Sequence, residues 1–89
     1  MNFYILTEEY SFGGDDSVSF EVLGAYKSEE QAIKAMNHQH ENNMKLSPWK
    51  LYTKDDIYIE ETNTSIYILD ETDAEHYYLL KVEPIVLQD

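Results

Sequence analysis

The sequence contains no cysteine and no arginine, and only three glycines and two prolines occur among its 89 residues. Without cysteine, the chain forms no disulfide and offers no thiolate ligand to a metal ion. Without arginine, it lacks the side chain that grips phosphate or carboxylate groups through two parallel hydrogen bonds. These two absences exclude disulfide-stapled folds, thiolate metal sites and arginine-based anion recognition.

Long apolar segments are missing as well. No apolar run approaches the roughly 20 residues needed to cross a bilayer, and the first ten residues, MNFYILTEEY, lack the basic segment and apolar core of a secretory signal. No nucleophile elbow, P-loop, dinucleotide fingerprint or zinc signature is present. We therefore expect a soluble cytoplasmic protein, in the host cytosol if a phage encodes it, with no enzymatic activity and no cofactor.

Acidic residues dominate what is present: 18 aspartates and glutamates against six lysines give a net charge of −12. Residues 1–54 carry eight acidic residues and five lysines, a net charge of −3, whereas residues 55–89 carry ten and one, a net charge of −9. Because like charges repel, direct binding to DNA, RNA or an anionic membrane is disfavoured. A basic protein is the complementary partner.

Residues 28–44, SEEQAIKAMNHQHENNM, are the only segment long and periodic enough to predict a helix. Ser28 is the expected N-cap, with Gln31 placed to complete a capping box. At about 100° per residue, one stripe of this helix carries Ala32, Ile33, Met36, His40, Asn43 and Met44. The stripe is narrow, so the helix must be held by packing on a sheet.

The segments around this helix are rich in β-branched and aromatic residues and predict strands. Two precede the helix, at residues 3–10 and 17–26, with Val18, Phe20 and Val22 on the half-buried face and Gly24 at a bulge or at a bend of the strand towards the helix. Four follow it, at residues 49–53, 57–61, 65–69 and 76–82. The last is expected at a sheet edge, because Pro84 cannot donate a backbone hydrogen bond.

The expected fold is α+β. It consists of one small domain, residues 1–89, in which one helix packs on one face of an antiparallel sheet of four to six strands, in the order ββα-βββ. Within the second hairpin, alternation places Ile57, Ile59, Ile66 and Ile68 on the buried face. Tyr58, Glu60 and Tyr67 then lie on the outer face.

Three segments, YILTEEYS, VLGAYKSEEQAIKAM and YYLLKVE, resemble a loose group of small phage and bacterial proteins built from a strand pair, a capped helix and a late aromatic strand. The resemblance covers residues 3–36 and 77–83, roughly half of the chain. The group has no assigned activity, so no catalytic residues are implied. What the resemblance implies is an origin in a mobile element.

Two features of the sequence suggest a metal site, a pair of histidines and an acidic loop, but neither has the required spacing. His38 and His40 lie about 200° apart on the helix, so they cannot bind one metal ion together, and His40 is expected to be satisfied by a hydrogen bond in the core. Residues 70–75 superficially resemble a calcium loop, but lack its glycine at the sixth position and its distal glutamate. No metal site is therefore expected.

The predicted binding surface combines the carboxylates of the acidic half with two tyrosines, since tyrosine provides a large contact area at low entropic cost. Its residues are Asp55, Asp56, Tyr58, Glu60, Glu61, Tyr67, Asp70, Glu71, Asp73 and Glu75. Such a surface favours an acidic, non-enzymatic phage inhibitor or modulator. We expect it to bind a basic nucleic-acid-handling protein, such as a nuclease, partly as a DNA mimic, in the manner of an anti-CRISPR or anti-restriction protein.

Three other interpretations stay open. The tyrosines can simply cover the second face of the sheet, and the charge can serve only solubility. A structural or assembly module that forms a homodimer through a sheet edge or the tyrosine face is the main alternative function. A small metal-dependent hydrolase is a weaker one.

Overall fold

The computed structural model describes residues 2–12, 18–46, 49–53, 55–71 and 76–86. Within these ranges the chain forms five strands, one α-helix and a short 3₁₀ helix. Their bounds are β1 Asn2–Phe12, β2 Val18–Tyr26, α1 Glu29–Met44, the 3₁₀ helix Trp49–Leu51, β3 Ile57–Glu61, β4 Ser65–Asp70 and β5 His76–Val86. The helices in these ranges are too short and too polar to span a bilayer.

The five strands form one sheet in the order β2-β1-β5-β4-β3, and every neighbouring pair is antiparallel. The two hairpins, β1–β2 and β3–β4, are joined through β5, which pairs with β1 on one side and β4 on the other. This arrangement confirms the predicted α+β fold, with one helix and the order ββα-βββ.

Helix α1 begins where the sequence predicts. Ser28 has extended backbone angles (φ −131°, ψ 150°), and its Oγ accepts a hydrogen bond from the backbone N–H of Gln31 at 3.2 Å. The helix ends at Lys45, whose backbone N–H donates to the carbonyls of Asn42 and Asn43. A side-chain N-cap of this kind stabilises a helix by about 1 kcal/mol, too little to hold it without packing.

The core lies between α1, the 3₁₀ helix and one face of the sheet, which we call the helix-covered face. Its buried apolar residues are Leu6, Ala32, Met36, Trp49, Ile57, Ile66, Ile68, Tyr78, Leu80 and Val82. Those on strands are related by the register: Leu6 pairs with Val82, and Ile66 with Leu80. All of the large buried side chains therefore belong to one face, and the molecule has two layers, with a smallest extent of 18 Å.

Three residues of β2 that were predicted to be half-buried face away from the core. Val18, Phe20 and Val22 are more than half exposed rather than half-buried. The reason is a bulge beside Gly24, at which Leu6 pairs with Gly24 while Thr7 pairs with Val22, leaving Leu23 as an extra residue. A bulge shifts the alternation by one residue, so Leu23 and Tyr26 pack against the core instead. The bulge itself was predicted correctly.

Strand β5 is central, so the prediction of an edge strand at Pro84 is wrong. The N–H of Val82 donates to Thr64 at 2.8 Å, on the side of β4. Backbone groups two residues apart point the same way, so the nitrogen of Pro84 also faces that side. The pairing with β4 stops at Lys81, opposite Ser65. Proline is tolerated here because, among the residues that the structure describes, no strand lies opposite its nitrogen.

The predicted strand at residues 49–53 is instead a 3₁₀ helix at Trp49–Leu51 followed by irregular chain. The backbone N–H of Tyr52 donates to the carbonyl of Trp49 at 3.1 Å. Residues three apart share a side in a 3₁₀ turn but lie on opposite faces in a strand. Both aromatic rings therefore reach the core, and the Trp49 ring meets the ring of Tyr78 edge-on at 5.1 Å.

Candidate functional site

The face of the sheet opposite α1 carries the candidate site, and we call it the outer face. Strand alternation and the register bring its side chains together. They are Val18, Phe20 and Val22 of β2, Glu9 of β1, Tyr77 and Leu79 of β5, Tyr67 and Leu69 of β4, and Tyr58 and Glu60 of β3. One row across all five strands reads Phe20, Glu9, Leu79, Tyr67 and Glu60. Sequence-distant residues thus form one continuous surface.

No element in the described part of the chain packs on the outer face, since α1 contacts β1, β2 and β5 from the other side. Phe20 is 65% exposed and Val22 56%. Tyr58 is 43% exposed, whereas Leu69 and Leu79 are partly shielded by their neighbours on the sheet. A monomeric protein rarely exposes a continuous apolar patch of several hundred Å², so such a patch points to a contact surface.

Three tyrosines cross the outer face as a line of contacting rings. The ring centroids of Tyr58 and Tyr67 are 6.4 Å apart, and those of Tyr67 and Tyr77 are 5.9 Å apart. The Tyr58 hydroxyl donates to Glu60 at 3.0 Å, and the Tyr77 hydroxyl donates to Glu9 at 2.9 Å. Each end of the line is therefore fixed by a carboxylate, and the rings are positioned before any partner arrives.

These hydrogen bonds also fix the protonation state of the two outer tyrosines. The hydrogen bond to Glu60 is the main reason that the pKa of Tyr58 is raised, and the hydrogen bond to Glu9 is the main reason for Tyr77. Each hydroxyl therefore keeps its proton to a higher pH than an ordinary tyrosine does. The outer face presents neutral aromatic rings beside carboxylates, a mixture suited to a partner with both apolar and cationic groups.

The structure brings several of the predicted site residues together. Tyr58, Glu60 and Tyr67 share the outer face, as the alternation within the second hairpin predicted. Glu71 lies close enough to Tyr58 to contribute to its raised pKa. Asp55 is exposed in the turn before β3, and Asp56 holds that turn by accepting hydrogen bonds from the N–H and hydroxyl of Thr53 at 2.8 and 3.1 Å.

Other predicted site residues lie elsewhere. Asp70 is only 2% exposed; it accepts a hydrogen bond from the Tyr52 hydroxyl at 2.7 Å and lies 3.4 Å from Nδ1 of His76, so it belongs to the core. Glu61 points to the helix-covered face, with its Oε1 3.9 Å from Nε2 of His40. Asp73 and Glu75 lie outside the described residues. The acidic residues of the second half therefore do not form one row.

His40 is satisfied by a hydrogen bond to the core, as predicted. Its Nδ1 lies 2.7 Å from the hydroxyl oxygen of Tyr78. Burial lowers the pKa of His40, and the opposing influence of Glu61 and Glu41 is smaller. Across the described ranges, no group of three or more histidine and carboxylate side chains is placed to hold a metal ion.

No family model, curated protein or solved structure matches this chain. The resemblance to small phage and bacterial proteins therefore stays a prediction. The geometry and the charge of the outer face are therefore the basis for a proposed function.

Seven of the outer-face residues named above were not among the predicted site residues: Glu9, Val18, Phe20, Val22, Leu69, Tyr77 and Leu79. In β5 the run of two tyrosines followed by two leucines is apolar on both sides, so alternation cannot tell the buried Tyr78 from the outer Tyr77. Glu9 joins the site only through the pairing of β1 with β5. The available signal was the run of four apolar residues, Tyr77 to Leu80, because such a run implies that both faces of the strand are apolar.

The buried His40 predicts a pH dependence of stability. Above its ordinary pKa of 6.5, histidine is neutral in the folded and unfolded chains alike. As the pH falls below 6.5, the unfolded chain takes up the proton more readily, so the free energy of unfolding falls until the lower folded-state pKa is passed.

We expect urea unfolding between about pH 7 and pH 5 to show a steeper loss of the free energy of unfolding in the wild type than in His40→Gln. Exposed His38, changed to Gln, is the matched control and should leave the wild-type profile intact; equal profiles for His40→Gln and wild type would contradict the prediction.

Proposed function

We propose that this protein is a non-enzymatic binding module that docks a basic protein on its outer face and thereby inhibits or modulates it. The observation that carries the proposal is the uncovered line of tyrosines on β5, β4 and β3, held by Glu9 and Glu60, with the exposed apolar residues of β2 at the far edge of the same face. Tyrosine and phenylalanine are enriched at the centres of protein interfaces, where they pack into pockets of the partner.

The size of the outer face suits a protein partner. The five strands contain roughly 40 residues, each occupying about 16 Å² of the sheet plane, which gives a projected area of about 650 Å². A standard interface buries about 800 Å² on each partner. The outer face therefore provides most of one side of such an interface without any rearrangement of the backbone.

The charge of the outer face favours a basic partner. Lys81 also lies on this face, two residues along β5 from Leu79, and its charge is offset by Glu83 at 2.8 Å. The charges of Glu9 and Glu60 remain. These two carboxylates belong to one row and are three strands apart, about 14 Å. The net charge of −12 adds a long-range attraction that speeds encounter with a cationic surface and weakens as salt is added.

The concrete form of this proposal is inhibition of a nuclease or another nucleic-acid-handling protein, of the anti-CRISPR or anti-restriction type, by a phage-encoded DNA mimic. The net charge supports it, because surfaces that bind DNA are basic. The burial of Asp70 and the orientation of Glu61 leave fewer aligned carboxylates than a continuous phosphate row would need. In this form, charge steers the encounter, while the tyrosines and apolar residues provide the contact.

The adjacent residues Glu60 and Glu61 provide a test with matched charge. Glu60→Lys reverses a charge on the outer face, whereas Glu61→Lys makes the same change on the helix-covered face. With a captured basic partner, we expect Glu60→Lys to weaken binding at least about tenfold and Glu61→Lys to change it much less. Binding can be measured by calorimetry at low and high salt, with duplex DNA as a competitor.

Two outcomes would contradict the proposal. Equal losses for the two variants would mean that net charge, and not the outer face, governs binding. Unchanged binding in both variants and in a Tyr58→Ala, Tyr67→Ala double variant would exclude the outer face altogether. If duplex DNA competes with this protein for the partner, the two bind the same surface of the partner, as a DNA mimic requires. If it does not compete, this protein binds another surface of the partner.

A homodimer is the second candidate function, and the exposed side chains of Val18, Phe20 and Val22 on the edge strand β2 favour it. Edge strands and apolar sheet faces are common sites of self-association. Sedimentation velocity across micromolar concentrations separates the two functions. A tight dimer that is disrupted by Phe20→Glu would identify the outer face as a self-contact, which leaves no free surface for a second protein.

A further inference from the structure

A cleft of about 320 Å³ opens on the other side of the molecule, between the sheet, the second half of α1 and the 3₁₀ helix. Its lining combines two carboxylates, Glu8 and Glu21, with the aromatic side chains of Tyr10, Trp49 and Tyr78. The volume is at the lower end of the range for small-molecule sites, and a few polar groups in a largely aromatic wall are typical of such sites. Tyr77 also lines the cleft, although its hydroxyl donates to Glu9 on the outer face. The proposed function uses none of the other lining residues.

One carboxylate of the cleft is held in place by a chain of hydrogen bonds from α1. The side-chain amide of Asn43 donates to Oε2 of Glu8 at 2.8 Å, and the amide of Gln39 donates to Asn43 at 2.9 Å. All three residues are partly shielded from solvent. Because these amides are neutral, they orient the carboxylate of Glu8 without neutralising its charge.

The negative charge in the cleft is uncompensated by the residues that line it. Glu8 and Glu21 pair directly across β1 and β2, where like charges repel. The C-terminal end of α1, which carries a partial negative charge, lies at the same cleft and has no basic residue in its last turn. No lysine is present among the described lining residues. Three sources of negative potential therefore converge on one opening.

The aromatic wall determines which kind of cation fits. The Trp49 ring lies against the His76 ring at 4.6 Å and meets the ring of Tyr78 edge-on, so the wall is rigid. A metal ion prefers oxygen ligands in a compact shell, which two carboxylates beside an aromatic wall do not supply. An organic cation pairs its charge with carboxylates and packs its carbon chain on aromatic rings.

We propose that this cleft binds an organic cation, an ammonium or guanidinium group on an aliphatic chain, with Glu8 and Glu21 as its counter-ions. A guanidinium can bind the two oxygens of a carboxylate through parallel hydrogen bonds. The source is either a free diamine-like molecule or a lysine or arginine side chain of a protein. The chemistry that recognises both is the same.

The chain's single tryptophan is part of the cleft wall, so its fluorescence and its indole N–H resonance report on occupancy directly. We suggest titrating the full chain with agmatine, with a capped Gly-Arg-Gly peptide, with uncharged N-butylurea and with MgCl₂, all at about 0.15 M salt to screen weak surface pairing. Agmatine or the peptide should give a saturable change in the fluorescence and in the indole N–H resonance of Trp49, and N-butylurea should give none.

Variants locate the site. Glu21→Gln is exposed and keeps the strand pairing, and Glu8→Gln keeps an oxygen acceptor for Asn43, so both should fold. Each is expected to weaken binding about tenfold or more, as for loss of a charge-assisted hydrogen bond. Glu30→Gln, the same change at an exposed residue in the first turn of α1 that does not line the cleft, should leave the affinity unchanged. Circular dichroism checks the fold of each variant.

Every outcome decides the proposal. Binding of agmatine alone identifies a free small molecule as the source, and binding of the peptide identifies a protein side chain; both support the proposal. No saturable change with either, equal weakening by Glu30→Gln, or saturation by MgCl₂ in place of agmatine would overturn it. Because the cleft and the outer face lie on opposite sides of the sheet, failure here leaves the Glu60 and Glu61 comparison unaffected.

Discussion

Replacing Leu80 with alanine is expected to lower the free energy of unfolding by about 3 kcal/mol. Leu80 is fully buried on β5, the strand that joins the two hairpins, and it packs among Leu6, Ile66 and Met36 in the core. Because β1 and β4 flank it, the surrounding backbone cannot collapse into the space left by the side chain. Native domains are stable by only about 5–15 kcal/mol, so this single change should remove a large part of the stability.

Leu79, the next residue along β5, provides the control for this prediction. It points to the outer face and is partly exposed, so Leu79→Ala should cost less than about 1 kcal/mol. Urea unfolding followed by fluorescence of Trp49 measures both variants under identical conditions. Equal losses for the two leucines, together with a dependence on protein concentration, would show that the outer face is buried between two copies of the chain.

Replacing Asp70 with alanine is expected to have an effect of similar size, a loss of about 3 kcal/mol in the free energy of unfolding. Asp70 is buried and joins Tyr52 to His76, with contacts of 2.7 and 3.4 Å to the two partners. Alanine would leave the Tyr52 hydroxyl without this acceptor and would remove the carboxylate beside the His76 ring. The result should be a lower urea midpoint with little change in the slope of the transition.

Two further variants test the cause of that loss. Asp70→Asn keeps an oxygen that can accept from Tyr52, so it should cost clearly less than Asp70→Ala. The exposed neighbour Glu71, changed to Gln, should change stability by no more than about 0.5 kcal/mol. If Asp70→Ala left the free energy of unfolding unchanged, the structural role assigned to this carboxylate would be contradicted. Asp70 would then be a candidate for the binding surface, as predicted from the sequence.

Local signals in the sequence account for what could be predicted about the fold. The N-cap at Ser28 depends on residues within one helical turn, and the pairing of β3 with β4 depends on a short turn between them. Both were predicted correctly. The positions of Tyr58, Glu60 and Tyr67 on one face follow from the same hairpin. Short-range chemistry is therefore sufficient for these elements and for Tyr58, Glu60 and Tyr67 of the candidate site.

Long-range pairing accounts for what could not be predicted. Alternation in β2 separates two sets of side chains, but only the sheet register and the bulge at Leu23 decide which set meets the helix. The central position of β5 depends on its pairing with residues more than 60 positions away, such as Glu9 with Tyr77. The burial of Asp70 depends on Tyr52 and His76, neither of which carries a sequence signal for an aspartate partner.

The central place of β5 also shapes how the molecule is assembled. Its neighbour β1 is at the other end of the described chain, so a ribosome releases β1 long before its partner exists. Until β5 emerges, each hairpin carries an unpaired strand edge, and edges of this kind recruit other chains. Closing the sheet then requires contacts between distant segments, which slows folding relative to helical proteins of equal length. The longer β5 takes to dock, the longer these edges stay open to pairing with other chains.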